Sequence, residues 1–174
     1  FGALEQLPET VARKAGGARA CFWRIVARQS VLAAGALERP VAFRNNDRPG
    51  VMTAGAVRAY VNRWAVAPGR AVTVFGNNDD AHKTAADLLA AGVHVAALID
   101  ARADATTDLD VPFYPGFVVC DAHGGKGLEA ITLQGPKGQE KISTDCLAMS
   151  GGWNPSVHLS CHMNGRPEWR EDLA

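Results

Sequence analysis

The sequence predicts an α/β fold, with a parallel βαβ core that carries an antiparallel β insertion. Two short apolar runs, Arg70–Gly76 and Val93–Asp100, flank one amphipathic stretch, which is the pattern of a βαβ unit. A right-handed crossover makes those two strands parallel. Further on, Val111–Asp121, Leu128–Leu133 and Glu140–Thr144 read as strands, the last two joined by the hairpin turn Gly135-Pro136-Lys137-Gly138.

The remaining elements follow in chain order. Leu4–Arg13 carries apolar residues without a clean period, and Ala15–Arg19 reads as a turn. Cys21–Ala27 reads as a strand and Ser30–Gly35 as a second, buried one, close enough to pair through Arg28 and Gln29. Glu38–Gly50 is polar, holds Pro40 and Pro49, and serves as a connection and domain boundary. Within it, Arg44–Gly50 reads as a solvated linker rather than the lining of a crevice. Thr53 is placed to cap a helix over 54–65, with Val57, Tyr60, Val61 and Trp64 on one face. Ala67–Arg70 then turns the chain. After the strand ending at Gly76, Asn77–Asp80 forms a polar loop and cap. The helix that follows, His82–Ala91, aligns Ala81, Ala85, Leu88 and Leu89, and Gly92 is a natural residue just past its end. Cys146–Ser150 is a last buried strand, stopped by Gly151-Gly152.

Composition narrows the function classes. The 174 residues allow one domain, or one domain and part of another. Lys and Arg number 18, as do Asp and Glu, so the zero net charge gives no general attraction to nucleic acid or anionic membrane. No apolar run approaches the roughly 20 residues that span a bilayer. The chain begins Phe1-Gly2-Ala3 without an initiator Met or a secretory leader, and is expected to be a fragment. Cys21, Cys120, Cys146 and Cys161 form no C-x-x-C pair and read as buried thiols of a cytoplasmic protein.

One stretch comes close to a dinucleotide fingerprint. The Rossmann-like pattern needs glycines after its first strand, so that backbone amides approach a pyrophosphate, and an acid ending the second strand to hold a ribose hydroxyl. Here the frame is Gly76-Asn77-Asn78-Asp79-Asp80-Ala81, with Asp100 in the acid position. Gly76 and Ala81 fit, but Asn78 stands where close approach needs glycine. Asp79 and Asp80 suit a helix N-terminus and repel a pyrophosphate. Gly76 and Asp100 are therefore candidate cofactor contacts on a scaffold whose phosphate site is degenerate, and Arg102 is placed to pair with Asp100. Gly35-Ala36 and Gly151-Gly152 end runs of small residues, where a ligand or another backbone can come close; residue type leaves both open. His158, Cys161 and His162 do not follow a standard zinc spacing, and no metal site is assigned. No Gly-x-Ser-x-Gly elbow, P-loop or supported nucleophile occurs, so no catalytic residue is assigned.

The blocks VLAAGALERP (31–40), NNDRPGVM (45–52), FGNNDD (75–80) and LAMSGGWNPSVHL (147–159) resemble the alpha subunits of heterotetrameric sarcosine oxidases. Related subunits of opine, octopine and proline dehydrogenases share the plan. The resemblance implies a pyridine nucleotide-disulfide oxidoreductase-like region, part of a two-dinucleotide-domain flavoprotein-type fold. Residues 1–45 would be a remnant of the first dinucleotide-binding domain, 46–144 a second, degenerate one, and 145–174 the return to the first. It implies NAD in the complete subunit, near Gly35, Ala36, Gly151 and Gly152. FAD and FMN would sit elsewhere in the complex, and beta, gamma and delta subunits would be the partners. The parent enzyme would demethylate sarcosine to glycine and reduce oxygen to hydrogen peroxide. A non-catalytic scaffold module and a free-standing NAD(P)-dependent reductase are the alternatives.

Overall fold

Short, fully apolar strands pack best with both faces covered, and the computed structural model has that form over the residues it describes, 1–14 and 16–170. Ala15 of the expected turn, and residues 171–174, lie outside them. Five parallel strands form one sheet in the order β4 (Val51–Thr53), β11 (Cys146–Ser150), β5 (Val72–Gly76), β6 (Val95–Asp100), β7 (Phe113–Pro115). β5 and β11 are buried at every position. On one face, Val72, Val74, Leu98 and Ala148 pack beneath helices α2 (Ala54–Trp64) and α3 (Asp79–Ala90), against Val57, Val61, Ala81, Ala85 and Leu88. On the other, Phe75, Ile99, Leu147 and Met149 meet an antiparallel layer of β8 (Val118–His123), β9 (Ala130–Gly135) and β10 (Gly138–Ser143). The α/β class and the antiparallel insertion are as the sequence predicts.

Both helices end in backbone geometries that satisfy their last carbonyls. Past α3, Gly92 takes a left-handed φ of +74°, and the Val93 amide donates to the Leu88 carbonyl. Past α2 the same turn is made by Ala65, at φ +51°, with the Val66 amide donating to Tyr60. Thr53 occupies the N-cap of α2 without a side-chain bond. The Gly55 amide donates instead to Glu38 Oε2 at 2.8 Å.

The flanking segments differ from expectation. β2 (Ala20–Arg24) pairs with β1 (Gly2–Gln6), placing Trp23 opposite Ala3, with a short helix α1 (Glu9–Lys14) between them in sequence. Ser30–Gly35 is not a strand, and Val31 is 94% exposed. An apolar run becomes a strand only where a neighbour supplies the hydrogen-bond ladder, and the strand expected to do so pairs with β1. β3 (Ala36–Glu38) and β12 (Trp153–Pro155) form a separate antiparallel ribbon. β11 lies between β4 and β5, so the chain stays in the parallel sheet through Ser150 and leaves it at Gly151. Arg44–Gly50 is not a free linker. Arg44 bridges to Asp121 of β8, Asn45 Nδ2 donates to Asp121 Oδ1 at 2.8 Å, and Arg48 donates to the Gly124 carbonyl. Of the four cysteines, none paired, only Cys146 is buried, and Cys161 is exposed.

Leu133 is fully buried between the two sheets. Leu133→Ala should destabilise the chain by about 3 kcal/mol, read as a lower urea midpoint. Ala65→Gly should stabilise the chain by about 0.5–1 kcal/mol, read as a higher urea midpoint, because glycine adopts the left-handed conformation without the Cβ penalty.

Candidate functional site

The carboxyl ends of parallel strands are where open α/β sheets place their ligands, and Gly76, Asp100 and Ser150 all lie there, ending β5, β6 and β11. Gly76 is needed for packing. A Cβ on it would lie 2.6 Å from the Ala81 Cβ and 3.0 Å from the Ser150 carbonyl oxygen. The helix after it therefore rests directly on the strand end. Asn78 fills the space above. Its Oδ1 accepts from the Asp80 amide at 3.0 Å and from Ser150 Oγ at 3.1 Å, while its Nδ2 donates to the Ser150 carbonyl at 3.0 Å. The first turn of α3 is thus capped by protein.

Asp100 is fully buried, and each of its oxygens is met twice. Oδ1 accepts from the Arg102 amide at 2.9 Å and Arg102 Nε at 3.1 Å. Oδ2 lies 2.8 Å from both Arg102 Nη2 and His82 Nε2. The same Nη2 reaches Asp79 Oδ1 at 2.8 Å. Burial alone would push the Asp100 carboxyl up, but hydrogen bonds from Arg102 and His82, with the Arg102 charge, outweigh it and hold it below the usual carboxylate range. Arg102, between two carboxylates, is held charged. Asp80 is engaged as well, by Lys83 Nζ at 3.0 Å and by Trp153 Nε1 at 2.6 Å. The acid in the ribose position and the acids of the loop are committed to protein cations and donors.

The second group of candidates comes together at the β3–β12 ribbon. Arg39 N donates to the Gly152 carbonyl at 2.8 Å, Gly151 N to the Arg39 carbonyl at 3.1 Å, and Ser156 N to the Gly35 carbonyl at 2.9 Å. Ala36 pairs with Pro155. The glycines differ in what they face. A Cβ on Gly151 would lie 2.6 Å from the Arg39 carbonyl oxygen, so close chain packing explains that residue. Gly35, at φ +67°, has nothing within 4 Å of its would-be Cβ and faces open space. The ribbon is also anchored to both helices, through Glu38 on α2 and Trp153 on α3. Burial pushes the Glu38 carboxyl up, in spite of the hydrogen bond from Gly55.

His82, Glu38 and Trp153 carry this geometry without standing out in the sequence. His82 had a local signal, three residues after Asp79 on the helix that starts there. Glu38 and Trp153 act across 17 and 73 residues and had none.

No family model matches the chain. It is 45% identical over its whole length to part of the sarcosine oxidase subunit alpha of Rhizobium meliloti (strain 1021), and 40% identical over 89% of its length to that of Corynebacterium sp. (strain P-1). It spans 18% and 17% of those proteins. Among solved structures it is similar to an L-proline dehydrogenase from P. horikoshii (TM-score 0.59, 22% identity, 79% of this chain and 24% of that one). It is also similar to an FAD-dependent pyridine nucleotide-disulphide oxidoreductase from Desulfovibrio vulgaris (TM-score 0.61, 14% identity, 86% and 41%). At these identities the two structures speak for the fold.

The depressed Asp100 pKa fixes the sign of an acid effect. Its contribution to stability is complete above the unfolded carboxyl pKa of about 4 and is lost as pH falls through the lower folded value. The urea midpoint of the wild type should therefore drop on acidification below about pH 4, and that of Asp100→Asn should drop less. Arg102→Ala should cost about 2 kcal/mol at neutral pH, less than for a fully buried pair because Arg102 is 39% exposed.

Proposed function

We propose, for a chain homologous over its whole length to one stretch of sarcosine oxidase alpha subunits, that it is the junction of two dinucleotide-type units in such a subunit. In this reading the β3–β12 ribbon side, with Gly35, Ala36, Gly151 and Gly152, borders NAD held by the first unit. The sheet of β4–β7 and β11 is the second unit, retained for structure. The observation that carries this is the saturation of Asp100 by Arg102 and His82, together with the capping of α3 by Asn78. A nucleotide entering there would have to displace protein contacts from a buried carboxylate. Gly35, by contrast, offers an open, side-chain-free backbone.

The residues present fit a dinucleotide at the ribbon through Gly35 and Gly152, both at positive φ, with Gly151 holding the two strands in contact. NAD supplies a diphosphate to be gripped and a nicotinamide able to carry hydride. This chain supplies backbone to border it and no residue assigned to chemistry. The parent complex would demethylate sarcosine oxidatively and form hydrogen peroxide, with FAD and FMN bound outside this stretch and beta, gamma and delta subunits as partners. Exposed apolar side chains support a larger body. Phe1, Leu4, Phe22, Leu37, Leu159 and Met163 all face solvent, and all lie outside the parallel sheet.

The test is titration of the complete alpha subunit with NAD, followed by calorimetry. Gly35→Val should weaken binding at least about tenfold, since a branched side chain cannot keep the left-handed turn and fills the open face. Asp79→Ala should leave the affinity within about twofold. Unchanged binding in Gly35→Val, with a changed affinity in Asp79→Ala, would move the nucleotide to the second unit.

A further inference from the structure

Most of the charged side chains that the ribbon, α2 and α3 bring near the sheet are paired within the described residues. Arg102 joins Asp100 and Asp79, Lys83 joins Asp80, and Arg58 joins Asp87. Arg39, which directly follows β3, is half-buried, and its Nε is buried with no hydrogen-bond partner. Among the described residues no carboxylate or carbonyl accepts from its guanidinium. Its neighbour Glu38 points away, to the amide of Gly55. The Arg39 head lies over Gly152, where a Cβ would come within 3.0 Å of Nη2 and 3.8 Å of Nε, so glycine leaves that face of the fork uncovered.

A guanidinium whose Nε is withdrawn from water without an acceptor carries a cost, which is recovered when a bidentate acceptor arrives at the fork. Protein side chains meet that need for Arg102. Nothing in the described chain meets it for Arg39. The backbone around it is pinned from both directions by the Arg39–Gly152 and Gly151–Arg39 hydrogen bonds, so the head group is presented from a rigid mount. Gly35 opens at the far end of the same three-residue ribbon, a reach that an extended dinucleotide covers.

We infer that Arg39 is the anion receptor of this junction, gripping the diphosphate of the dinucleotide bordered by Gly35 and Gly152. This rests on the proposed function and adds to it the residue that supplies the charge. Arginine suits the task because its planar fork matches two phosphate oxygens at once and stays charged at every working pH.

The complete alpha subunit, as wild type, Arg39→Gln and Arg39→Lys, would be titrated calorimetrically with NAD, ADP and adenosine, with thermal midpoints measured alongside. Arg39→Gln should weaken NAD and ADP by about tenfold or more and leave adenosine, which has no phosphate, within about twofold. Arg39→Lys should fall between, keeping the charge and losing the fork. If ADP and adenosine weaken equally, or if neither weakens, the inference is overturned and Arg39 serves packing. A drop in thermal midpoint with unchanged ADP affinity points the same way, to a carboxylate of the larger subunit as its partner. Wild type that binds no NAD defeats the proposed function itself, a different result from wild type and Arg39→Gln binding NAD equally.

Discussion

A carboxylate with no exposed surface must be paired or protonated, and Asp100 is paired on both oxygens. Much else at the carboxyl edge of the sheet follows from that requirement. Arg102 must turn back immediately after β6, which sets the path of the loop toward β7. His82 must face the sheet from the first turns of α3, which sets the rotation of that helix. Asp79 then lies within reach of the same guanidinium and accepts from it. The edge that in related folds receives a ligand is here held by charges the chain brings itself.

Most of the central architecture was legible because its elements have strong periods. β5 and β6 are short apolar runs bounded by glycine and polar loops, and the stripe Ala81, Ala85, Leu88 gave the buried face of α3. The hairpin of β9 and β10 announced itself through Gly135-Pro136-Lys137-Gly138. The ends of the chain were harder to read. Ser30–Gly35 has the composition of a strand, yet pairing is decided by a neighbour, and Gly2–Gln6 gave little sign of being one. The place of β11 between β4 and β5 is a matter of long-range register, to which local pattern is blind.

The candidate site divides along the same line. The crowding of the turn after Phe75 and the partnership of Arg102 with Asp100 are local, spaced by two residues, and could be seen in the sequence. Glu38 reaching Gly55, Trp153 reaching Asp80 and the uncommitted head of Arg39 depend on where a ribbon lies against two helices. Residue types at Gly151 left ligand contact and chain packing both open. In the structure the Arg39 carbonyl lies 2.6 Å from where a Gly151 Cβ would be, while Gly35 has nothing within 4 Å of its own.

The position of β11 also governs the order in which the molecule can be assembled during synthesis. Val72 waits for Cys146, and Val51 for Leu147. At about 5–20 residues per second on the ribosome, the roughly 70 residues between β5 and β11 take several seconds to emerge. Throughout that interval β4 and β5 both lack the strand that lies between them in the finished sheet. Unpaired strand edges are open to foreign strands, so the insertion of β11 covers two of them at once.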